Sequence, residues 1–156
     1  MCLDYDEKLT EKGLKGKKVH SNGMIKAWKF LSSWCHSLNL NSPYAQMYIP
    51  GGYKYKPGWN KSNRNSVKIT DQEKRTMSVH KGIHVFLSRE TARNEVRFCN
   101  RFADCSYKTY KNVPVKVYEK ELVSVGHFES KKAAVFTKVF LKKDDYDKAL
   151  KIPANK

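Results

Sequence analysis

Read for apolar periodicity, this chain is expected to be an α+β domain. The expected architecture is a curved, mainly antiparallel β-sheet of about six strands with one main helix packed on one face. Apolar residues spaced by four, three and four mark the helix, and period-two alternation marks the strands. No internal repeat or second zone of composition divides the chain. At 156 residues it has the size of one domain and can bury a core without disulfide staples. Its expected parts are a flexible basic and polar arm at 1–22, one domain at 23–148 and a frayed tail at 149–156.

The arm contains Gly13, Gly16 and the run Lys15, Lys17 and Lys18, a composition that favours a loose segment. From Met24 to Leu31 the pattern is that of a strand. Ile25, Ala27 and Leu31 fall on one side, and Trp28 and Phe30 on the other with Lys26 and Lys29 nearby. Residues 32–52 are rich in Ser, Asn, Pro and Gly and read as loop, with one short strand around Tyr44 to Ile49. Tyr53-Lys54-Tyr55-Lys56 alternates, and Pro57-Gly58 suits a type II turn. Trp59 to Ser66 is expected to be loop.

The clearest unit begins at Val79. Gly82 to Leu87 is strand-like, Ser88 is a good N-cap, and a helix is expected over about 89–103. Ala92, Val96, Cys99 and Ala103 form its stripe, broadened by Phe98 and Phe102. Three strands follow: Val113 to Tyr118, Leu122 to Phe128 and Ala133 to Lys142. Pro114 restricts the first to an edge or a strand start, Gly126 suits a bulge in the second, and Ser130-Lys131-Lys132 makes the last hairpin.

Charge is the strongest functional signal. Lys and Arg number 31 against 15 Asp and Glu, a net charge of +16. Such a field concentrates anions and speeds their encounter. The expected partners are nucleic acid or a phosphorylated nucleotide, or else an acidic protein surface. No apolar run approaches the length of a membrane span. No secretory leader is expected, so the four cysteines should stay reduced and the location should be cytoplasmic, in a host cytoplasm or virion if the chain is viral. The cysteines and histidines lack zinc spacing, so no metal and no cofactor are expected. There is no HExxH, no Walker A loop and no GxGxxG, and the sparse carboxylates form no acid–base pair. The reading leans away from catalysis.

Tyr53, Lys54, Tyr55, Lys56, Trp59, Lys61 and Arg64 interleave cations with rings. Single-stranded nucleic acid is held in this way, by cations on the backbone and bases on aromatic faces. The same pattern also describes a hairpin whose tyrosines pack inward while lysines guard an edge. His84 has two readings as well: a hydrogen-bonded core histidine, or the lining of a pocket beside Ser88. There the helix N-terminus favours an anion, and Arg89 and Arg93 add charge. The candidate anion or nucleotide site is therefore Lys54, Lys56, Trp59, Arg64, His84, Ser88, Arg89 and Arg93.

Met1-Cys2-Leu3, Ile25 to Leu31, Tyr55 to Gly58, Gly82 to Ala92 and Val115 to Gly126 occur in that order. This order resembles small proteins of phages, large DNA viruses and bacteria that begin Met-Cys-Leu and carry a "GIHVF" strand–helix unit. It also resembles the ADP-ribosyltransferase-like fold, including the RNA 2′-phosphotransferases. The second resemblance implies that His84 and Ser88 lie near a nicotinamide-nucleotide cleft, with Lys26 or Lys29 on the first strand. The early strand lacks the His or Arg of that pattern, and no late Glu is clearly placed. Three functions are thus expected, and the basic surface serves all of them. The first is a non-enzymatic, virus-type accessory protein that binds nucleic acid or a phosphorylated nucleotide. The second is a transferase-like enzyme acting on NAD or RNA ends. The third is a virion or host-defence-inhibiting protein that docks on an acidic surface.

Overall fold

Two long strands and a split hairpin organise the chain. The structure, a computed structural model, describes residues 3–20, 22–34, 40–41, 54–101 and 108–151. The chain opens with β1 (Leu3–Tyr5), α1 (Glu7–Lys12) and the long β2 (Met24–Trp34). Short pieces follow: β3 (Leu40–Asn41), β4 (Lys54–Tyr55), β5 (Gly58–Lys61), α2 (Asp71–Thr76) and β6 (Ser78–Val79). Then come β7 (Ile83–Phe86), α3 (Arg89–Arg101) and the long β8 (Lys108–Tyr118). A 3-10 turn leads to β9 (Leu122–Phe128), β10 (Lys131–Phe136), β11 (Lys138–Leu141) and α4 (Lys143–Lys151).

One sheet contains all eleven strands in the order β5-β11-β8-β2-β7-β10-β9-β1-β6, with β3 on β2 and β4 on β3. Every pairing among the described residues is antiparallel. The expectation of about six strands and one main helix is therefore corrected: the sheet has a nine-strand path plus two further strands, and four helices accompany it. Apart from the nine-residue α4, the excess lies in pieces of two to six residues, too short to display a period. The helices α1 and α2 bury no residue and so carry no apolar stripe.

The expected arm differs too. Leu3 is fully buried, β1 pairs with both β9 and β6, and Leu14 packs into the core. Gly126, expected to be a bulge, is where β1 comes close: a Cβ there would meet the Asp4 carbonyl oxygen at 1.9 Å. The register irregularity instead falls between Val135 and Phe136, opposite the start of β9. The single strand expected over 133–142 breaks at Thr137, whose N–H donates to the Glu121 carbonyl (3.0 Å). That break sends β10 to β7 and β9, and β11 to β8 and β5. The stretch from Trp59, expected to be loop, accordingly begins as the edge strand β5. The proposed strand at 44–49 lies outside the described residues, as does most of the expected tail.

Period-two alternation sorts the long strands into two faces. On one face, Ile25, Ala27, Leu31, Val113, Val115 and Val117 join Leu14, Tyr146 and Ala149 in the larger core. On the other, Phe30, Phe86, Ala133 and Val135 pack with Ala92 of α3, with Val96 and Cys99 alongside. Phe30 stacks on Tyr110 at 5.0 Å, and Asn100 ties the helix end to the Tyr110 backbone through bonds of 2.8 and 3.0 Å. The expected stripe holds at Ala92, Val96 and Cys99, whereas Phe98 turns outward and is 57% exposed. Buried Glu95 occupies the inner face and is held by Lys131 at 2.8 Å. It holds the Cys99 thiol pKa up at about 12, after the larger effect of burial.

Candidate functional site

The helix α3 covers only part of its sheet face. Beyond it, the cross-strand register aligns one row over four strands. Trp59 on β5 lies opposite Phe140 on β11, Phe140 opposite Lys116 on β8, and Lys116 opposite Lys26 on β2. Residues directly paired across a sheet project to the same side, so these four share a face with Trp28 and Tyr118, each two residues along a strand. At strand spacings near 4.8 Å the row is about 14 Å wide.

The rings of this row touch one another. Trp59 stacks on Tyr118 with centroids 5.5 Å apart and planes 23° apart, and meets Phe140 edge-on at 5.3 Å. All three rings are half-buried, as is Trp28. Lysines surround them. The Lys138 ammonium stands 4.6 Å from the Trp59 ring, Lys120 5.1 Å from Tyr118 and Lys26 5.9 Å from Trp28. Cations over ring faces are held by the ring quadrupole while they remain open to solvent.

Two lysine pairs lie directly opposite each other on this face: Lys26 with Lys116, and Lys138 with Lys61. Like charges in that register destabilise a sheet. Within the row, Lys138 reaches the Glu121 carboxylate at 4.0 Å. A second bond of Glu121 goes to the Thr137 hydroxyl, which donates to it.

The residues singled out in the sequence do not all meet here. Trp59 is at the centre of the row. Lys54 and Lys56 are exposed just before it, and the Asn60 side chain bridges the Lys56 N–H (3.0 Å) and carbonyl (2.8 Å) across the Pro57-Gly58 turn. Gly58 there has φ 96°, which the turn requires and glycine supplies.

Arg64 instead points inward. Its five N–H donors bind both Glu73 carboxylate oxygens (2.7 and 2.8 Å) and the carbonyls of Ser66, Lys68 and Lys81. It anchors α2 and the preceding loop, and it holds the Glu73 pKa down at about 2.

His84 is 5% exposed, with Nε2 at 3.0 Å from the Val79 carbonyl. Burial, and then the nearby Lys29, push its pKa down to about 3, so it is neutral at physiological pH. Ser88 accepts the Thr91 N–H at 3.4 Å as a cap of α3, and Arg89 and Arg93 lie exposed on the first turns of that helix.

The opposite face treats lysine differently. Lys29 is 4% exposed and donates to the His84 carbonyl at 2.7 Å; burial lowers its pKa to about 7. Lys111, one step along the neighbouring strand, donates to the Ala149 carbonyl. These lysines hold backbone, while those of the aromatic row face outward.

Sequence reasoning missed Trp28, Lys116, Tyr118, Lys138 and Phe140 as one site. The alternation of Pro114, Lys116 and Tyr118 against Val113, Val115 and Val117 was visible. The register that sets them beside Trp59 was not. Among the described residues no cluster of His, Cys, Asp and Glu could hold a metal ion, and no helix is long and apolar enough to cross a membrane. No protein-family model, curated protein or solved structure matches this chain, so the aromatic and cationic row is interpreted from its own chemistry.

Proposed function

We propose that this half of the sheet face, which no described helix covers, binds single-stranded nucleic acid, with bases stacked on Trp59, Tyr118 and Trp28. Phosphates would be neutralised by Lys26, Lys61, Lys116, Lys120 and Lys138. The observation that carries this reading is the opposed couple Lys26 and Lys116 within a ring-lined row. A polyanion lying across the row would relieve the repulsion of that couple. Half-buried rings offer flat apolar surface to bases of any sequence. A row about 14 Å wide offers more area than one nucleotide needs.

Fluorescence anisotropy of a labelled oligothymidylate, measured across a salt series, tests the reading. Five neutralised phosphates give a slope of log affinity against log salt near −3.5, from about −0.7 per phosphate on a single strand. Trp59→Ala should weaken binding at every salt concentration without changing that slope. An affinity that does not respond to salt, or that is equal in Trp59→Ala and the native chain, removes the proposal.

A further inference from the structure

The chain has six arginines, and four of them, Arg89, Arg93, Arg97 and Arg101, recur every fourth residue along α3. All four are exposed. Residues four apart on a helix are neighbours, and like charges there cost the helix a few tenths of a kcal/mol per pair. Among the described residues Arg89, Arg93 and Arg97 have neither an ion pair nor a hydrogen bond through the side chain. Glu90 is the one exposed carboxylate of the helix, since Glu95 is turned into the core and bound by Lys131. Arg89, Arg93 and Arg97 therefore form a line of repelling guanidinium groups that the described residues leave uncompensated.

Arginine is the informative choice in a chain whose cations are otherwise mostly lysine. Its planar fork binds phosphate oxygens in pairs, which an ammonium cannot do. Four residues of helix advance about 6 Å, a step close to one nucleotide of an extended strand. The four arginines span about 18 Å.

The helix sits on the same sheet face as the aromatic row, and Trp28 joins the two. It packs against the cluster that α3 covers, and Lys26 stands 5.9 Å from its ring. Resting on the single-strand reading of that row, we infer that α3 carries a second contact line for the same strand. Its arginines take successive phosphates of an oligonucleotide that continues past Trp28 onto the helix.

The test compares the native chain with the triple variant Arg89→Gln, Arg93→Gln and Arg97→Gln. Gln has nearly the helix propensity of Arg, and the substitutions relieve repulsion, so the fold is retained. The probes are a trinucleotide and strands of about fifteen residues, within the range of single-strand site sizes, made as oligothymidylate and as oligouridylate. Anisotropy reports binding, and quenching of tryptophan fluorescence reports occupancy of the row.

The expected result has three parts. The triple variant binds the long strand at least tenfold more weakly. Its salt slope falls by about two, for three lost phosphate contacts. Its binding of the trinucleotide, and the accompanying quenching, are unchanged. A larger loss on one sugar identifies DNA or RNA as the source of the strand. Equal affinity and equal slope for the long strand in both proteins, with quenching intact, overturn the inference and leave the sheet-face reading standing. Long-strand binding that needs the arginines but quenches no tryptophan supports α3 as a phosphate line and removes the sheet row. No binding of any strand by the native chain removes both.

Discussion

Two halves of one sheet face, built from the same two long strands, have opposite compositions. Under α3, the outward positions of β2 and β8 hold Phe30 and Tyr110, ring against ring, joined by Phe86, Ala133 and Val135. A few residues along the same strands, the positions hold Trp28, Lys26, Lys116 and Tyr118. Both halves are aromatic. They differ in what stands between the rings: aliphatic residues in the covered half, lysines in the other. A ring packed among aliphatic neighbours is excluded from water by the helix above it. A ring packed among lysines is only half-buried and keeps a cationic border, the arrangement that suits a stacked base with its phosphate alongside.

The comparison is broken most severely from the covered side. Phe30→Ala should cost about 3–5 kcal/mol of stability by opening a cavity under α3, while the fraction that stays folded binds oligonucleotide unchanged. Denaturant unfolding and a binding titration on the same sample separate the two effects. A variant that loses affinity at full stability would place the ligand under the helix and contradict the division.

Next in size is the anchor that holds α2 beside this face. Arg64→Met leaves the Glu73 carboxylate and three carbonyls without their donor and should cost about 3 kcal/mol. The pH dependence has a definite sign. The Glu73 pKa is about 2 in the folded chain against an ordinary 4.5, so its contribution is present above 4.5 and is lost as pH falls toward 2. His84, depressed from 6.5 to about 3, adds a loss that begins below 6.5 as the unfolded chain takes up protons. Unfolding curves between pH 7 and pH 2 should show Arg64→Met with a shallower acid decline than the native chain below pH 4.5. Parallel declines would mean that Arg64 does not set the Glu73 ionisation.

From the open side, Trp59→Ala should lower oligonucleotide affinity by about 1–3 kcal/mol, the worth of one stacked base. Unfolding measurements should show a smaller penalty than that of Phe30→Ala, because Trp59 is half-buried on an edge strand. The smallest effect belongs to Lys116→Gln. It should reduce the magnitude of the salt slope by about 0.7 and slightly stabilise the sheet by removing the repulsion with Lys26. A slope unchanged by Lys116→Gln would exclude that lysine from the contact.

The sequence disclosed what periodicity can carry. β2, α3, β8 and β9 each have enough residues to show alternation or a stripe, and β7 stands out as the apolar run between Gly82 and the Ser88 cap. The other short strands were not legible, because two to four residues have no period and their pairing is decided by distant partners. β5 is the instructive case. Asn60 is 1% exposed and is satisfied by the Lys56 backbone, so an Asn-rich stretch that reads as loop serves as an edge strand. The start of α2 is encoded, since Thr70 and Glu73 form a capping box, but no apolar stripe follows to mark a helix.

The candidate site was legible in the same partial way. Trp59 was singled out as an aromatic among cations, and it sits at the centre of the row. Arg64 belonged to the same run of sequence, yet with Glu73 nine residues on it became an internal clamp. A cation's role depends on whether a carboxylate and carbonyls can reach it, and single-chain spacing does not reveal that. Lys29 and Lys26 make the same point from one strand: three residues apart, one is buried on a backbone carbonyl and the other is exposed beside Trp28.

The most direct measurement follows the indole N–H signals of Trp28 and Trp59 by two-dimensional NMR during titration with oligothymidylate. Binding on the open half of the sheet face moves both signals together, saturably, and added salt reverses the change. If both indole signals stay in place while anisotropy shows the strand bound, the nucleic acid lies elsewhere and the aromatic row is not its binding site.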